Sequence, residues 1–322
     1  MPKPLSLPLA IAGILLALAT AATAQQYPTK PIRLIVPFAP GGSNDIIGRA
    51  IGTPLGERLG KQVIVENRAG AGAVVGTELV ANAPKDGYTL LINSLSHTIN
   101  PWLYKLPFDP IKSFAPVAMI ASGPIVLVVN PELPVKSVTE LIALAKAQPG
   151  KLQYASAGVG TFTHLGAELF KMQTGVNILH VPFRGGGPAA IDVIGGHTKV
   201  YFSNLLTVMP HIRSGKLRVL GVGSTKRISQ LPDVPTIAEA GVPTYESINW
   251  WGILAPAGAP PAIVERLHKE IAVLQNEPAV QKHLAAEGAE VQRMSSAEFG
   301  AFLEREMKQW GRVVKEGGIK AQ

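Results

Sequence analysis

The chain has 322 residues, 30 Lys and Arg against 22 Asp and Glu, a formal charge of +8, and no cysteine. Without thiols it has no disulfide framework, no lipid-attachment cysteine and no cysteine-built zinc site. The positive balance favours anionic partners, but the basic residues are scattered, with no run longer than Lys226-Arg227, which argues against nucleic acid.

In chain order, Lys3, the short apolar run Leu9 to Ala19 and the small residues Ala22-Thr23-Ala24 form a secretion-signal pattern, with cleavage expected after Ala24. The apolar run is well short of the roughly 20 residues needed to cross a bilayer. Removing 24 of 322 residues leaves 298, and the charge becomes +7, from 29 basic and 22 acidic residues. That length suits two lobes of about 100 to 150 residues each. The expectation is a soluble exported protein of the periplasm.

The next stretch, YPTKPIRLIVPFAPGGSND over Tyr27 to Asp45, runs an apolar strand into Gly41-Gly42-Ser43 at the start of a helix. Such a turn presents unpaired backbone N–H groups and the positive end of the helix dipole to one point, which suits an anion. Beyond it, strand-length apolar runs alternate with helical patterns. Strands are expected at 32–36, 63–66, 89–93, 126–129, 152–155, 178–181, 200–202 and 217–221. Helices are expected at 44–59, 74–82, 138–147, 163–173, 189–194, 263–275 and 297–315. The alternation points to α/β layers with largely parallel sheets, where ligands sit beyond the carboxyl ends of strands. Irregular stretches at 101–121 and 224–259 mark two crossings between lobes. The expected division is residues 25–123 with 227–322 as a discontinuous first domain, and 124–226 as the second.

A counterpart to the first glycine loop lies at Tyr154 to His164, YASAGVGTFTH, again a strand entering a helix through a Gly- and hydroxyl-rich turn. Ser156, Thr161 and Thr163 offer hydrogen bonds or caps, and Gly158 and Gly160 allow close backbone approach. A third strand-loop-helix, Val181 to Pro188, places Phe183, Arg184 and Gly185 at the rim of the cleft, or else forms an ordinary loop with a solvated arginine.

These segments, with LLINSLSHTINPWLY, HVPFRGGGPAAIDVIGG, LPDVPTIAEAGVP and WWGILAPAGAP, span nearly the whole chain in order. The sequence resembles the substrate-binding proteins of the tripartite tricarboxylate transporter family, the Bug proteins. The resemblance implies a two-lobed Venus-flytrap fold of the type II periplasmic binding class, each lobe a mixed, mainly parallel sheet flanked by helices. It also implies a small carboxylate ligand and a membrane permease as partners, in a monomeric receptor with no cofactor, no metal and no catalytic residues.

Carried over residue by residue, the implied ligand loops fall on Phe38, Gly41, Gly42, Ser43 and Asp45, and on Asn93, Ser94, Ser96 and His97. Those of the second lobe fall on Ser156, Gly158, Gly160, Thr161 and His164, on Phe183, Arg184 and Gly185, and on Asn204. The chain departs from the family pattern at Asn44, where Ser or Thr is common, at Leu95 to His97, and at His197-Thr198-Lys199.

Several of these residues also have a plain structural reading. Asp45 in a first helical turn stabilises the helix without any ligand. His97 and His164 are each equally a hydrogen-bonded structural histidine, and Trp251 is a core aromatic. Two other functions compete: a secreted α/β hydrolase or transferase using Ser43 or Ser156 with His97 or His164, and a receptor that presents its ligand to a sensor kinase. Gly41-Gly42 is not closed by a Lys, so no nucleotide loop is formed, and neither Ser156 nor Ser224 sits in a hydrolase elbow. The seven histidines lack HExxH spacing.

Overall fold

The computed structural model describes residues 27–286, 288–316 and 318–320, so the expected signal at 1–24 and its cleavage site lie outside the described residues. The first layer is built from β1 (Ile32–Val36), α1 (Ser43–Leu59), β2 (Val63–Asn67), α2 (Val74–Ala81), β3 (Thr89–Ser94) and the one-turn α3 (Ser96–Ile99). β1 pairs in parallel with both β2 and β3. Helix α1 lies tight on these strands because Gly48, Gly52 and Gly56 form a stripe at i, i+4, i+8 facing them. A Cβ on Gly56 would stand 3.0 Å from the Val63 nitrogen.

The long strand β4 (Phe114–Val129) joins the two lobes. Its first part, Phe114 to Pro124, pairs with β9 (Ile248–Pro256), while Ile125 to Val129 pairs with β7 (Val200–Asn204) and β8 (Arg218–Val222). Between these segments run α4 (Val138–Ala147), β5 (Gln153–Ser156), α5 (Phe162–Thr174), β6 (Leu179–Pro182), α6 (Gly186–Ile194) and α7 (Leu205–Arg213). β5 is parallel to β6 and to β7. The strand order is therefore β2-β1-β3-β9-β4-β7-β5-β6, with parallel strands outside and the antiparallel β4 and β9 between them. The chain ends in α8 (Pro261–Asn276), α9 (Pro278–Ala286), the short β10 (Glu290–Val291) and α10 (Ser296–Glu316).

The α/β class and two-lobed architecture match the sequence reading; α3, α9 and β10 were not expected, and three larger differences bear on the lobes. β4 begins at Phe114, inside the stretch expected to be irregular, because Pro116 and two register shifts break the alternation a strand normally shows. β9 lies in the second supposed irregular stretch; all but its first residue are buried, so it too lacks alternation. α7 follows β7 with no turn between them and contains Pro210, which hides it from pattern reading.

One apolar core runs through both lobes. Phe170, Phe202 and Tyr245 meet in the second, and Trp250 packs edge-on against Phe299 and Phe302 of α10 in the first. Gly252 of β9 lets Phe299 seat, since a Cβ there would come within 2.3 Å of the ring. Gly252→Ala is therefore expected to lower stability by about 1–3 kcal/mol through overpacking, read as a lower urea midpoint. An unchanged midpoint would show that α10 does not dock on β9 in this way.

Candidate functional site

Four helices begin at one cavity between the lobes. Its lining includes Gly42, Ser43 and Asn44 at the start of α1, Thr161, Phe162 and Thr163 at the start of α5, Gly186 at the start of α6 and Asn204, the residue before α7. Phe38, Ser94, Ser96, Ala157 and Asn249 complete the wall, around an empty volume of about 320 Å³ with the mouth included. None of these thirteen residues is ionisable.

No side chain caps any of the four helices. In α1 the Asp45 and Ile46 N–H groups bond to the Gly42 carbonyl, and in α5 those of His164 and Leu165 bond to the Thr161 carbonyl. The N–H groups of Ser43 and Asn44, and of Phe162 and Thr163, are left over. Two helices elsewhere do carry side-chain caps, whereas α2 and α8 do not. At α4 the Glu140 N–H donates to Ser137 Oγ while the Glu140 carboxylate accepts from the Lys136 N–H, and at α10 Ser295 and Glu298 cap reciprocally. Uncapped, mutually facing helix starts concentrate partial positive charge without a formal cation, which suits a carboxylate.

The lobes touch around this cavity. The Ala39 N–H donates to the Arg184 carbonyl at 3.0 Å, and the Tyr104 hydroxyl donates to the Val159 carbonyl at 3.0 Å. Gly187 faces Pro40 so closely that a Cβ would meet the Pro40 oxygen at 2.3 Å.

Of the residues singled out from the sequence, Phe38, Gly42, Ser43, Ser94, Ser96, Thr161 and Asn204 line the cavity. Others support it from outside. Asp45 accepts from the Gly41 N–H, from Arg49 and from Asn67, each at 3.0 Å. Burial pushes its carboxyl up, but these hydrogen bonds prevail and hold it below the ordinary range. Asn93 donates to Thr77 and accepts from the Ser94 N–H. Arg184 is exposed and reaches the lobe contact through its backbone, with Gly185 buried against Ala39 and Phe183 half-buried. Trp251 is buried and donates to Ser43 Oγ at 3.1 Å. Sequence reasoning missed Asn249, which donates to Asn204 Oδ1 at 2.9 Å and accepts from the Leu95 N–H. Its one signal was an amide inside the apolar run Ile248 to Leu254.

The profile of the tripartite tricarboxylate transporter family receptor matches residues 47–319. The chain belongs to this family. It is 40% identical to the protein BugT of Bordetella pertussis over 318 residues, covering 97% of this chain and 98% of BugT. Among solved structures it is similar to R. palustris Rpa4515 with adipate, at TM-score 0.89 and 36% identity over 91% of this chain and 99% of that one. It is also similar to MatC from Rhodopseudomonas palustris with bound malate, at TM-score 0.86 and 30% identity over 89% and 100%. Members of this receptor family are periplasmic solute-binding proteins, and the family is one of receptors, not enzymes.

The side chains of the glycine loop of the second lobe agree with that. Its backbone donors are largely used internally. Ala157 N–H bonds Thr163 Oγ1, Gly158 N–H bonds Ser156 Oγ, and Gly160 N–H bonds His164 Nδ1. The free N–H groups of this loop are therefore at the helix start, not among the glycines. Neither sequence-based serine and histidine pairing forms. His97 Nε2 is 2.7 Å from the Pro110 carbonyl, and His164 is taken by Gly160. Ser156 instead lies 2.6 Å from His180 Nε2, but the His180 Nδ1 is buried with no partner, so no acid orients it as a base. His180 stacks between Tyr154 and His164, at ring separations of 4.9 and 4.1 Å.

Burial holds His97 down to about 4, against a raising effect from the Pro110 carbonyl. Burial, then Lys171, takes His164 to about 4, and burial, then His164, takes His180 to about 3. All three are neutral in the fold, whereas in the unfolded chain they titrate near 6.5. The unfolded state thus binds more protons below that value, so stability falls as pH falls from about 7 to 5. The expected loss over this window is about 1–2 kcal/mol per histidine, read from urea midpoints. A flat profile between pH 7 and 5 would contradict these neutral, buried imidazoles.

Proposed function

We propose that this protein is a periplasmic receptor that closes its two lobes on one small organic carboxylate and delivers it to the membrane permease subunits of a tripartite tricarboxylate-type transporter. The observation that carries the reading is the meeting of four uncapped helix starts around one uncharged polar cavity. The space left for a water-sized body in this arrangement is only about 20 Å³, so the lobes part to admit the ligand and close on it. The adipate and malate named with two relatives are carboxylates, in keeping with this class.

The receptor works as a monomer, reaches the periplasm through the leader at residues 1–24, and is cut after Ala24. The lobes hinge where the chain crosses between sheets. One crossing is in β4 at Gly123-Pro124, where pairing passes from β9 to β7 and β8. We place the return crossing at Ser247-Ile248 instead of near residue 226, because Ile237 packs on Gly221 and Tyr245 on Gly166 of the second lobe. Closure brings the start of α1 and the start of α5 onto the same ligand, and the closed form is what the permease reads.

Calorimetry with mono-, di- and tricarboxylates on protein dialysed free of small molecules is expected to find at least one binder. With that binder, Ser43→Pro is expected to lose at least about tenfold in affinity relative to Ser43→Ala. Both variants lose the hydroxyl that Trp251 bonds, but only proline removes the N–H, at a first helical position that tolerates it. Equal affinities of the two variants would mean that the helix start does not hold the anion.

A further inference from the structure

We propose that Asn44 selects, among small carboxylates, one that carries its own neutral hydrogen-bond donor, a hydroxyl or an amide, beside the captured anion. The inference rests on the carboxylate reading of the cavity and narrows it to a class of ligand.

Asn44 is the second residue of α1, 5% exposed, and lines the cavity. Its Nδ2 donates to Ser94 Oγ at 3.2 Å. That leaves Oδ1, which is buried and has no hydrogen-bond partner. An amide oxygen only accepts. The polar groups around it mostly give: the leftover N–H groups at Ser43, Asn44, Phe162 and Thr163 have no other capacity. The hydroxyls of Ser94 and Ser96 give or accept, and Ser96 Oγ is likewise buried without a partner.

No protein donor turns to Asn44 Oδ1. The nearby amide of Asn249 is committed at both ends, to Asn204 Oδ1 and to the Leu95 N–H, and Trp251 spends its N–H on Ser43.

A carboxylate satisfies the helix starts but offers Oδ1 only lone pairs. A ligand with a hydroxyl or amide N–H next to its carboxylate satisfies both, and a plain alkanoate leaves a buried acceptor unpaired. Sites that hydrogen-bond a ligand hydroxyl discriminate strongly against the analogue lacking it, because their polar groups are then stranded.

The test is calorimetry on the full-length secreted protein, dialysed free of small molecules, with pairs of acids that differ only in a hydroxyl: lactate and propionate, malate and succinate, salicylate and benzoate. In any pair with a binding member, the hydroxy acid is expected to bind at least about tenfold tighter. Asn44→Leu, of similar size, is expected to narrow that ratio to within about threefold. Asn44→Ser, too short to hold an acceptor in the same place, is expected to narrow it as well, and thermal unfolding of both variants reports whether they fold. Equal binding of both members of a pair by the wild-type protein would overturn the proposal even if neither variant folds. So would a hydroxyl preference that survives in both variants. Binding of no acid in any pair or in the wider panel would overturn the carboxylate reading itself and this inference with it, an outcome distinct from equal binding of the pair members.

Discussion

The first N–H groups of a helix have no partner within the helix, and the rest of the cleft is organised around leaving four such starts unfilled. Away from the cleft, Ser137 and Ser295 cap α4 and α10, while α2 and α8 begin without a side-chain cap. At the cleft the residue before each helix is Gly42, Thr161, Gly185 or Asn204, and none caps. Thr161 has a side chain able to cap but turns it to the Gly158 carbonyl. Side chains that would satisfy the helix are thus either missing or committed elsewhere, which keeps the N–H groups free for a ligand.

Holding those groups in place takes a second set of interactions, in which only Ala157 and Thr163 belong to the cavity lining. Asp45 ties the Gly41 N–H, Arg49 and Asn67 to the first loop. In the second loop, Thr163, Ser156 and His164 take the backbone donors of Ala157, Gly158 and Gly160, and the stacked pair of His164 and His180 stands behind them. Both loops are therefore preorganised, and in the proposed receptor the attraction for an anion comes from fixed dipoles in place of a mobile charged side chain. Such a site binds without storing a buried cation, whose desolvation is costly, and it contains no nucleophile and base in working order. The exposed Arg184 contributes its carbonyl to the contact between lobes.

Much of this was legible in the sequence because strands ending in Gly-rich turns at helix starts leave a clear local mark. The segments around Gly41 and Gly158 were both found, and seven of the expected site residues line one cavity. What the sequence hid was direction. It could not show that the glycine N–H groups of the second loop are used internally, because their partners Ser156 and His164 are set by side-chain rotation. It also hid Asn249, since a strand with nearly every residue buried carries no alternation to mark which side chain faces a ligand. His180 was passed over for the same kind of reason: its partner Ser156 is 24 residues away and is brought to it only by the parallel pairing of β5 and β6.

The central claim is that backbone N–H groups at the starts of α1 and α5 hold the ligand carboxylate. The most direct measurement is an amide proton–nitrogen NMR titration of isotope-labelled protein with the carboxylate that binds best. The account predicts that the Ser43, Asn44, Phe162 and Thr163 amides move together, downfield and to saturation at one stoichiometric equivalent, with the Gly160 amide held in its existing bond to His164. Saturable binding that shifts the Arg184 guanidinium and leaves those four amides in place would contradict it.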